Sequence, residues 1–548
     1  MKNGLGRFIE HRFSKKENWF PSAILSWIES SQKEPEKFYE ELLGYCQKKL
    51  ALSLDKYDFY QSAVLQHLGK NATALSIMNA NGVYEEWSYE KLHLAVNYQV
   101  NRWRALGLST GQCVAIVAPV SPHYFVAYLT ALRLGLSIAY FPLNDPFLSK
   151  AVILQKLMEL KPFAVITSEE DFPKDPSYET IELLELPESK NNYTPTSTNY
   201  SPETTTQIFI GTYSKTFLTL TPLSAKNLYF AVLRDAVALL GLVPGSTLAY
   251  PLGSSLYHPN ILNTLFLGAR FLHVDSGFLK KNPQCMAKEK VHVFGLSKAA
   301  MTLWEETPGV PSSSLKLIYK SPFDQRCFTF KAFAVVNKIE KVSSANLLID
   351  NSAGGVTLFS KLSLDFPELF MLPNIGLSWE LSDLKKKEKK SLRNFGSFSV
   401  SGMMTPLLLV KNDQGYILSD SQVPSRDGKP FPVEKIESAI SSIPVIESAS
   451  LFHAVKGGTI ANRVYVLLVF TYERGPSLEE AIHNTILDQV GEAYLPDYIE
   501  YYPLHPKTQA GQVDKNWCKE QYATGLLDKK SNIEIYKKLS QLQTLLGR

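Results

Sequence analysis

Between Cys113 and Thr167, apolar runs of strand length alternate with helical stretches, and this alternation restricts the possible folds more than any other part of the chain. Cys113 to Ala118 is an unbroken apolar run, the pattern of a strand buried on both faces. Pro122 to Leu134 has helical spacing and is closed by Gly135. A strand over Ser137 to Phe141, a helix near Lys150 to Leu160 and a strand over Phe163 to Thr167 follow. The order is β-α-β-α-β. Short helical crossovers of this kind make right-handed parallel connections and place helices on both faces of the sheet. Upstream, Leu75 to Met78 and Tyr84 to Trp87 flank Ala80-Asn81-Gly82, a hairpin signature. Ser88 is predicted to cap a helix carrying Leu92, Val96, Val100 and Trp103, with Gly107 at its end.

Residues 1 to 70 read as a helical extension, with helices opening at Pro21-Ser22 and at Glu34-Pro35-Glu36, the second carrying Phe38, Leu42 and Leu43 on one face. A chain of 548 residues, 45% hydrophobic, divides into at least two domains. Its net charge of +4 excludes a general nucleic-acid footprint. The basic run Lys385-Lys386-Lys387-Glu388-Lys389-Lys390 reads as a solvated loop, with a site for an anionic partner as the alternative. Five dispersed cysteines without a C-x-x-C pair suit a reducing cytoplasm. No secretory signal opens the chain. The longest apolar stretch, Phe230 to Val243, is interrupted by Arg234 and Asp235, so no transmembrane segment is expected.

The stretch around Gly211 points to chemistry. A strand at Gln207 to Ile210 leads into the hydroxyl-rich turn Gly211-Thr212-Tyr213-Ser214-Lys215-Thr216, then a β-prone run from Phe217 to Thr221 and a helix start at Pro222 and Ser224. Backbone N–H groups, hydroxyls and a glycine that allows close approach are the components of a phosphate cradle. Counted back from Asn227-Leu228, this stretch resembles the phosphate loop T-S-G-T-T-G-x-P-K-G-V of the adenylate-forming acyl-CoA synthetases, luciferases and peptide-synthetase adenylation domains. Gly211, Thr212 and Ser214 keep small or hydroxylic positions. The two inner glycines fall on Tyr213 and Thr216, the lysine on Thr219, and the later histidine on Ala225.

Other segments carry the same resemblance in the same order: Ser88-Tyr89-Glu90-Lys91-Leu92, Gly107 through Ile116, Leu129 through Gly135, Pro142 through Pro146, and Leu265 through Arg270. The resemblance implies an α/β fold. A large AMP-binding-like domain with parallel sheets covered by helices on both faces would span 71–420, after the 1–70 extension. A small α+β lid domain would occupy 421–548. Within the latter, Ser450 to His453 and Arg463 to Phe470 read as paired strands, and Ser477 to Val490 as a helix capped by Ser477.

What the resemblance implies for the site is uneven. His258 stands near an acyl-pocket position, with a structural histidine as the other reading. Asp350 through Gly355 occupy the place of the Y-G-x-T-E motif, where Asp350 is either a metal ligand or a turn residue. Gly415 through Asp420 resembles G-W-x-x-T-G-D, which implies that Asp420 bonds the ribose hydroxyls, and Arg426 stands for the hinge arginine. Pro506 through Asp514 resembles the motif whose lysine bridges carboxylate and α-phosphate; here that residue is Gln512, with Lys515 or Lys507 as possible substitutes. The implied reaction joins a fatty or other acyl acid to ATP with Mg²⁺ and passes the acyl group to CoA or to the phosphopantetheine thiol of an acyl carrier protein. The departures in the loop, at Y-G-x-T-E and at Gln512 all fall on adenylate formation, so that activity is expected to be weakened or lost. The alternative is a catalytically inert relative that binds an acyl group, a nucleotide or a protein partner.

Overall fold

Alternating apolar strands and capped helices set the architecture. The structure is a computed structural model that describes residues 21–502 and 518, apart from 79–83, 144–147, 170–171, 174, 184–196, 212–218, 252–257, 275, 283, 297–312, 321–333, 340, 351–353, 363–369, 378, 384–394, 401–406, 413–414, 419–424, 427–428, 456–462 and 472–474. For His258, Asp350 and residues 381–430 it gives the backbone alone. By its contacts the chain divides into two units, one of Met1–Asn144, Leu157–Ser214 and Leu218–Gln422, the other of Asp145–Lys156, Lys215–Phe217 and Val423–Arg548.

In the first unit, helices α1 (Pro21–Lys33) and α2 (Pro35–Leu50) both start on proline, and α2 buries Phe38, Leu42, Leu43 and Cys46 on one face. After the short α3 (Phe59–Ala63), strands β1 (Thr73–Met78) and β2 (Tyr84–Ser88) pair antiparallel as the Asn-Gly signature predicts. The Ser88 hydroxyl then accepts the N–H of Lys91 to cap α4 (Tyr89–Ala105). Strand β3 (Cys113–Ala118), helix α5 (Pro122–Leu134), strand β4 (Ser137–Pro142), helix α6 (Lys150–Leu160) and strand β5 (Ala164–Thr167) follow in the predicted order. Ser121 caps α5 by accepting the N–H of Tyr124. Gly135 ends it at φ 74, where an added Cβ would come within 2.7 Å of Thr198 Cγ2.

With β6 (Glu179–Glu182), β7 (Thr205–Gly211) and β8 (Thr219–Ser224), these strands form a six-stranded sheet in the order β6-β5-β3-β4-β7-β8, parallel except for the β7–β8 hairpin. The expected helix start at Pro222 needs correction: β8 runs on to Ser224, and α7 (Ala225–Arg234) starts after it. Because β8 is the outer strand, the missing N–H of Pro222 breaks no ladder. Asp235–Leu239 continues α7 as a π-helical segment.

The second sheet is built from later strands and from the first two. It comprises β9 (Thr247–Pro251), followed by α8 (His258–Phe266), then β10 (Arg270–Val274), β11 (Val293–Gly295), β12 (Leu317–Lys320), β13 (Ser343–Asp350), β14 (Gly355–Leu362), β15 (Phe370–Pro373), β16 (Trp379–Asp383), β17 (Phe395–Val400), β18 (Leu407–Asn412) and β19 (Gly415–Leu418). Among the described residues thirteen strands join it, in the order β16-β17-β18-β19-β15-β14-β13-β12-β11-β9-β10-β1-β2. The block from β13 to β1 is parallel, and antiparallel strands flank it on both sides. A large apolar core runs from Trp27 in α1 to Ile375, and a second, smaller cluster gathers Leu272, Val274, Met286, Phe294 and Ile318 in the same unit.

In the second unit the hairpin β20 (Ser425–Arg426) and β21 (Lys429–Pro430) leads into α9 (Val433–Ser441). Strands β22 (Ser448–Val455) and β23 (Arg463–Phe470) pair antiparallel, and β24 (Tyr498–Tyr502) joins β23 in parallel. Helix α10 (Pro476–Val490) packs on α9. Its expected cap, Ser477, also needs correction: Pro476 is the first helical residue and extended Gly475 precedes it without a side-chain cap. Proline at this position carries no N–H that a cap would have to satisfy. Among the described residues, no helix is long and apolar enough to cross a membrane.

Candidate functional site

In an open parallel sheet, ligands meet the carboxyl ends of strands, and most readily where the strand order reverses. From β9 the chain first adds β10 on one side and then β11 on the other, so the second sheet reverses there. Helix α8 opens with His258 just after β9, in keeping with the sequence reading of a helix start. In the first sheet, β7 ends on Gly211, which pairs with Thr219 of β8 across the loop. The Ser224 hydroxyl then accepts the N–H of Asn227 at the start of α7. The two strands and the capped helix are thus in place. The loop residues 212–218, Thr212 and Ser214 among them, lie outside the described residues, as do Asp420, Lys507, Gln512 and Lys515. β19 ends at Leu418, two residues before Asp420. Arg426 pairs with Lys429 across the β20–β21 hairpin.

The β13–β14 hairpin lies where the sequence resemblance would put the Y-G-x-T-E motif. Asp350 closes β13 and pairs with Gly355 at the start of β14. Gly354 has φ 84 and Gly355 φ 153, both costly for residues that carry a Cβ. A Cβ on Gly355 would sit 2.4 Å from Asp235 Oδ2, and one on Gly354 would sit 3.1 Å from Leu223 Cδ2. The hairpin mouth therefore lies against the end of α7.

What meets it there is polar and buried. Asp235 Oδ2 accepts the N–H of Val356 at 2.9 Å, and Asp235 Oδ1 accepts Arg234 Nε at 2.7 Å and Asn374 Nδ2 at 3.0 Å. The Val356 carbonyl in turn accepts from Asn374 Nδ2 at 2.7 Å and from the Arg234 guanidinium at 3.3 Å. Arg234 and Asp235 are 1% and 2% exposed, so their charges are matched inside the protein rather than by water. Burial pushes the guanidinium pKa down, but Asp235 and Tyr39 outweigh that and hold it above the ordinary arginine value. The sequence reading treated these two residues only as an interruption of an apolar run. Adjacent opposite charges within the otherwise apolar run from Phe230 to Val243 were the available signal.

No protein-family model matches the sequence, and no curated protein does. Solved structures do. An o-succinylbenzoate CoA synthetase from Bacillus subtilis, bound with a product analogue, is similar with a TM-score of 0.67 at 14% identity, over 85% of this chain and 98% of that one. NpsA-ThdA from Klebsiella oxytoca, an artificially fused adenylation–PCP di-domain, gives a TM-score of 0.63 at 12% identity, covering 82% and 94%. McyG A-PCP, complexed with phenylalanyl-adenylate, gives 0.59 at 13% identity, covering 89% and 99%. At such identities the likeness establishes architecture, and the architecture of this chain is the α/β fold of the adenylate-forming enzymes.

Proposed function

We propose that the protein is an AMP-dependent acid–thiol ligase-like protein whose acyl-adenylate-forming step is weakened or lost. The observation that carries this reading is the β7–β8 unit, in which Gly211 pairs with Thr219 and the Ser224-capped helix follows. The sequence joining its two strands resembles a phosphate loop but lacks the expected residues. Tyr213 and Thr216 stand for glycines, Thr219 stands for the lysine, and the loop's own Lys215 falls where the family has a hydroxyl. Thr212, Ser214 and Thr216 still supply hydroxyl donors, a set that suits one phosphate better than a triphosphate with its larger charge. Among the described residues no group of three or more His, Cys, Asp or Glu side chains could hold a metal. Mg²⁺ carried on a nucleotide needs only one or two protein carboxylates beside phosphate oxygens, so the preference for AMP rests on the missing loop lysine and glycines and not on the metal.

In this reading Asp420 holds the ribose, Arg426 marks the hinge, His258 lines the acyl pocket, and Gln512 or Lys515 faces the reacting carboxylate. The substrate is a fatty or other acyl acid. The acceptor is CoA or the phosphopantetheine of an acyl carrier protein, and the compartment is the cytoplasm. The domains follow as 1–70, 71–420 and 421–548. Departures at the loop, at Y-G-x-T-E and at Gln512 together also favour a second reading, an inert relative that binds an acyl group, nucleotide or partner protein.

Titration with AMP and with ATP plus Mg²⁺, together with acid-dependent pyrophosphate exchange into ATP, tests the proposal. AMP is expected to bind at least as tightly as ATP, with exchange at background. Asp420→Ala should weaken AMP about tenfold or more, the loss of a charged hydrogen bond. Gln512→Lys alone should restore little exchange, because the loop still lacks its lysine and glycines. Robust exchange by the natural protein would overturn the loss of activity. Low but acid-dependent exchange would identify a weakened ligase, and binding of an acyl acid or AMP with no exchange at all leaves the two readings to be separated by whether acyl transfer to a thiol can be driven from a supplied acyl-adenylate.

A further inference from the structure

The buried polar group beneath the β13–β14 hairpin does not end at Arg234. The Tyr39 hydroxyl on α2 is electrostatically coupled to the Arg234 guanidinium. The same hydroxyl donates to the Gly376 carbonyl at 3.1 Å, two residues beyond Asn374. The Tyr39 ring lies flat on Phe230 of α7, with centroids 4.0 Å apart and planes 17° apart. Around it, Ser31 Oγ accepts the N–H of Gly376 at 2.9 Å, and Gln32 Nε2 donates to the Trp379 carbonyl. Gly376 has φ 67, and an added Cβ would sit 2.6 Å from Phe38 Cδ1. The N-terminal helices are thus bonded to the 374–379 segment. Asn374 is bonded to Asp235 and to the Val356 carbonyl, and Asp235 to the Val356 N–H.

The π-helical segment starts at Asp235, the residue that makes the contact. A π turn holds one more residue than an α turn over the same rise, which changes the facing of whatever lies at its edge. Here that residue is the carboxylate against Gly355, a position with no room for a side chain.

We propose that Tyr39 is a positioning residue, acting through Gly376 and Asn374 of the 374–376 segment, and through Asp235 beyond it, to fix the Gly354–Val356 mouth of the β13–β14 hairpin for nucleotide binding. The nucleotide part of this rests on the reading given above. The fixing of the hairpin rests on the bonds just described. The N-terminal helices then form part of the nucleotide site without touching the nucleotide.

The test uses the full-length protein with Tyr39→Phe, which removes the hydroxyl and keeps the ring on Phe230, and with Phe230→Leu, which removes the stack and keeps the hydroxyl. Three quantities are measured: AMP affinity by titration, amide hydrogen exchange at Gly355 to Thr357 without ligand, and Tm. Tyr39→Phe should weaken AMP about three- to tenfold, the range of one net hydrogen bond. It should speed exchange at Val356 while Tm stays close to that of the wild type. Phe230→Leu should lower Tm and leave AMP affinity nearly unchanged. Unchanged exchange at Val356 in Tyr39→Phe overturns the proposal, and so does a loss of Tm with unchanged exchange and affinity. If the wild type binds no AMP, the nucleotide reading fails, and faster exchange at Val356 in Tyr39→Phe still upholds the positioning role.

Discussion

Strand β3 and strand β14 are both interior strands, yet they are held in different ways. From Val114 to Ala118 every β3 residue is buried and apolar, and its parallel neighbours β4 and β5 are buried along their length. β14 begins on a glycine and a valine whose backbone is held by the side chains of Asp235, Arg234 and Asn374. A wall of methyl groups tolerates small changes of shape because dispersion contacts are many and individually weak. A set of buried hydrogen bonds around an ion pair does not, because each group left alone keeps its desolvation cost without compensation. Within one core, then, the apolar part supplies stability and the polar part supplies a defined position.

Asp235→Ala is expected to have the largest effect, because it leaves Arg234 buried without its carboxylate. A cost of about 3–5 kcal/mol is expected in chemical denaturation, against about 0.5–1.5 kcal/mol for Ile116→Val in β3. Equal costs would erase the contrast. The double substitution Arg234→Met with Asp235→Leu sharpens it: stability should largely return, because a buried pair is replaced by apolar volume, while the exchange protection of Val356 should not.

A buried base without a matching acid comes next. His67 is 1% exposed, packs on Tyr89 with centroids 4.8 Å apart, and its Nε2 finds no hydrogen-bond partner among the described residues. Burial first, and Lys70 second, push its pKa down to about 4 from 6.5. Because the folded-state pKa is the lower one, the unfolded chain takes up the proton first. His67 therefore leaves stability intact above about pH 6.5 and removes it as pH falls toward 4. The loss is on the order of 2 kcal/mol. Tm followed from pH 7 to 4.5 should fall less steeply in His67→Gln. The same slope in both proteins would rule out this histidine as its source.

Ser121→Ala should produce the smallest effect. It removes the hydroxyl that caps α5 beside β3, at a cost of about 1 kcal/mol by thermal or chemical unfolding. A cost as large as that of Asp235→Ala would mean that the β3 region also depends on individual polar contacts.

Legibility in the sequence follows the same division. The β3 region was readable, because apolar runs of strand length, the helical spacing from Pro122 to Leu134 and Gly135 after it each specify local geometry. The β1–β2 hairpin and the Ser88 cap were readable for the same reason. Where the reading failed, a local rule met a non-local circumstance. Pro222 belongs to a strand because β8 has a free edge, and only the sheet order reveals that. The pairing of Leu75 with Phe271, and the bonds of Asp235 to Val356 and Asn374, join residues too distant for any periodicity to register. Of the candidate site, Gly211, His258, Asp350 and Arg426 could be placed by their backbone in strands or at a helix start.

The bond between Tyr39 and Gly376 spans 337 residues of chain, which bears on synthesis as well as on the finished site. At about 5–20 residues per second, a ribosome needs roughly 17 to 70 s to add that length. For all of that time the apolar face of α2, with Phe38, Leu42 and Leu43, waits for part of its seat, and β1 waits a shorter time for β10. The packing of these helices is therefore completed only long after they are made. During translation this chain should present an apolar N-terminal segment to holding chaperones for longer than a protein whose early elements pair with near neighbours.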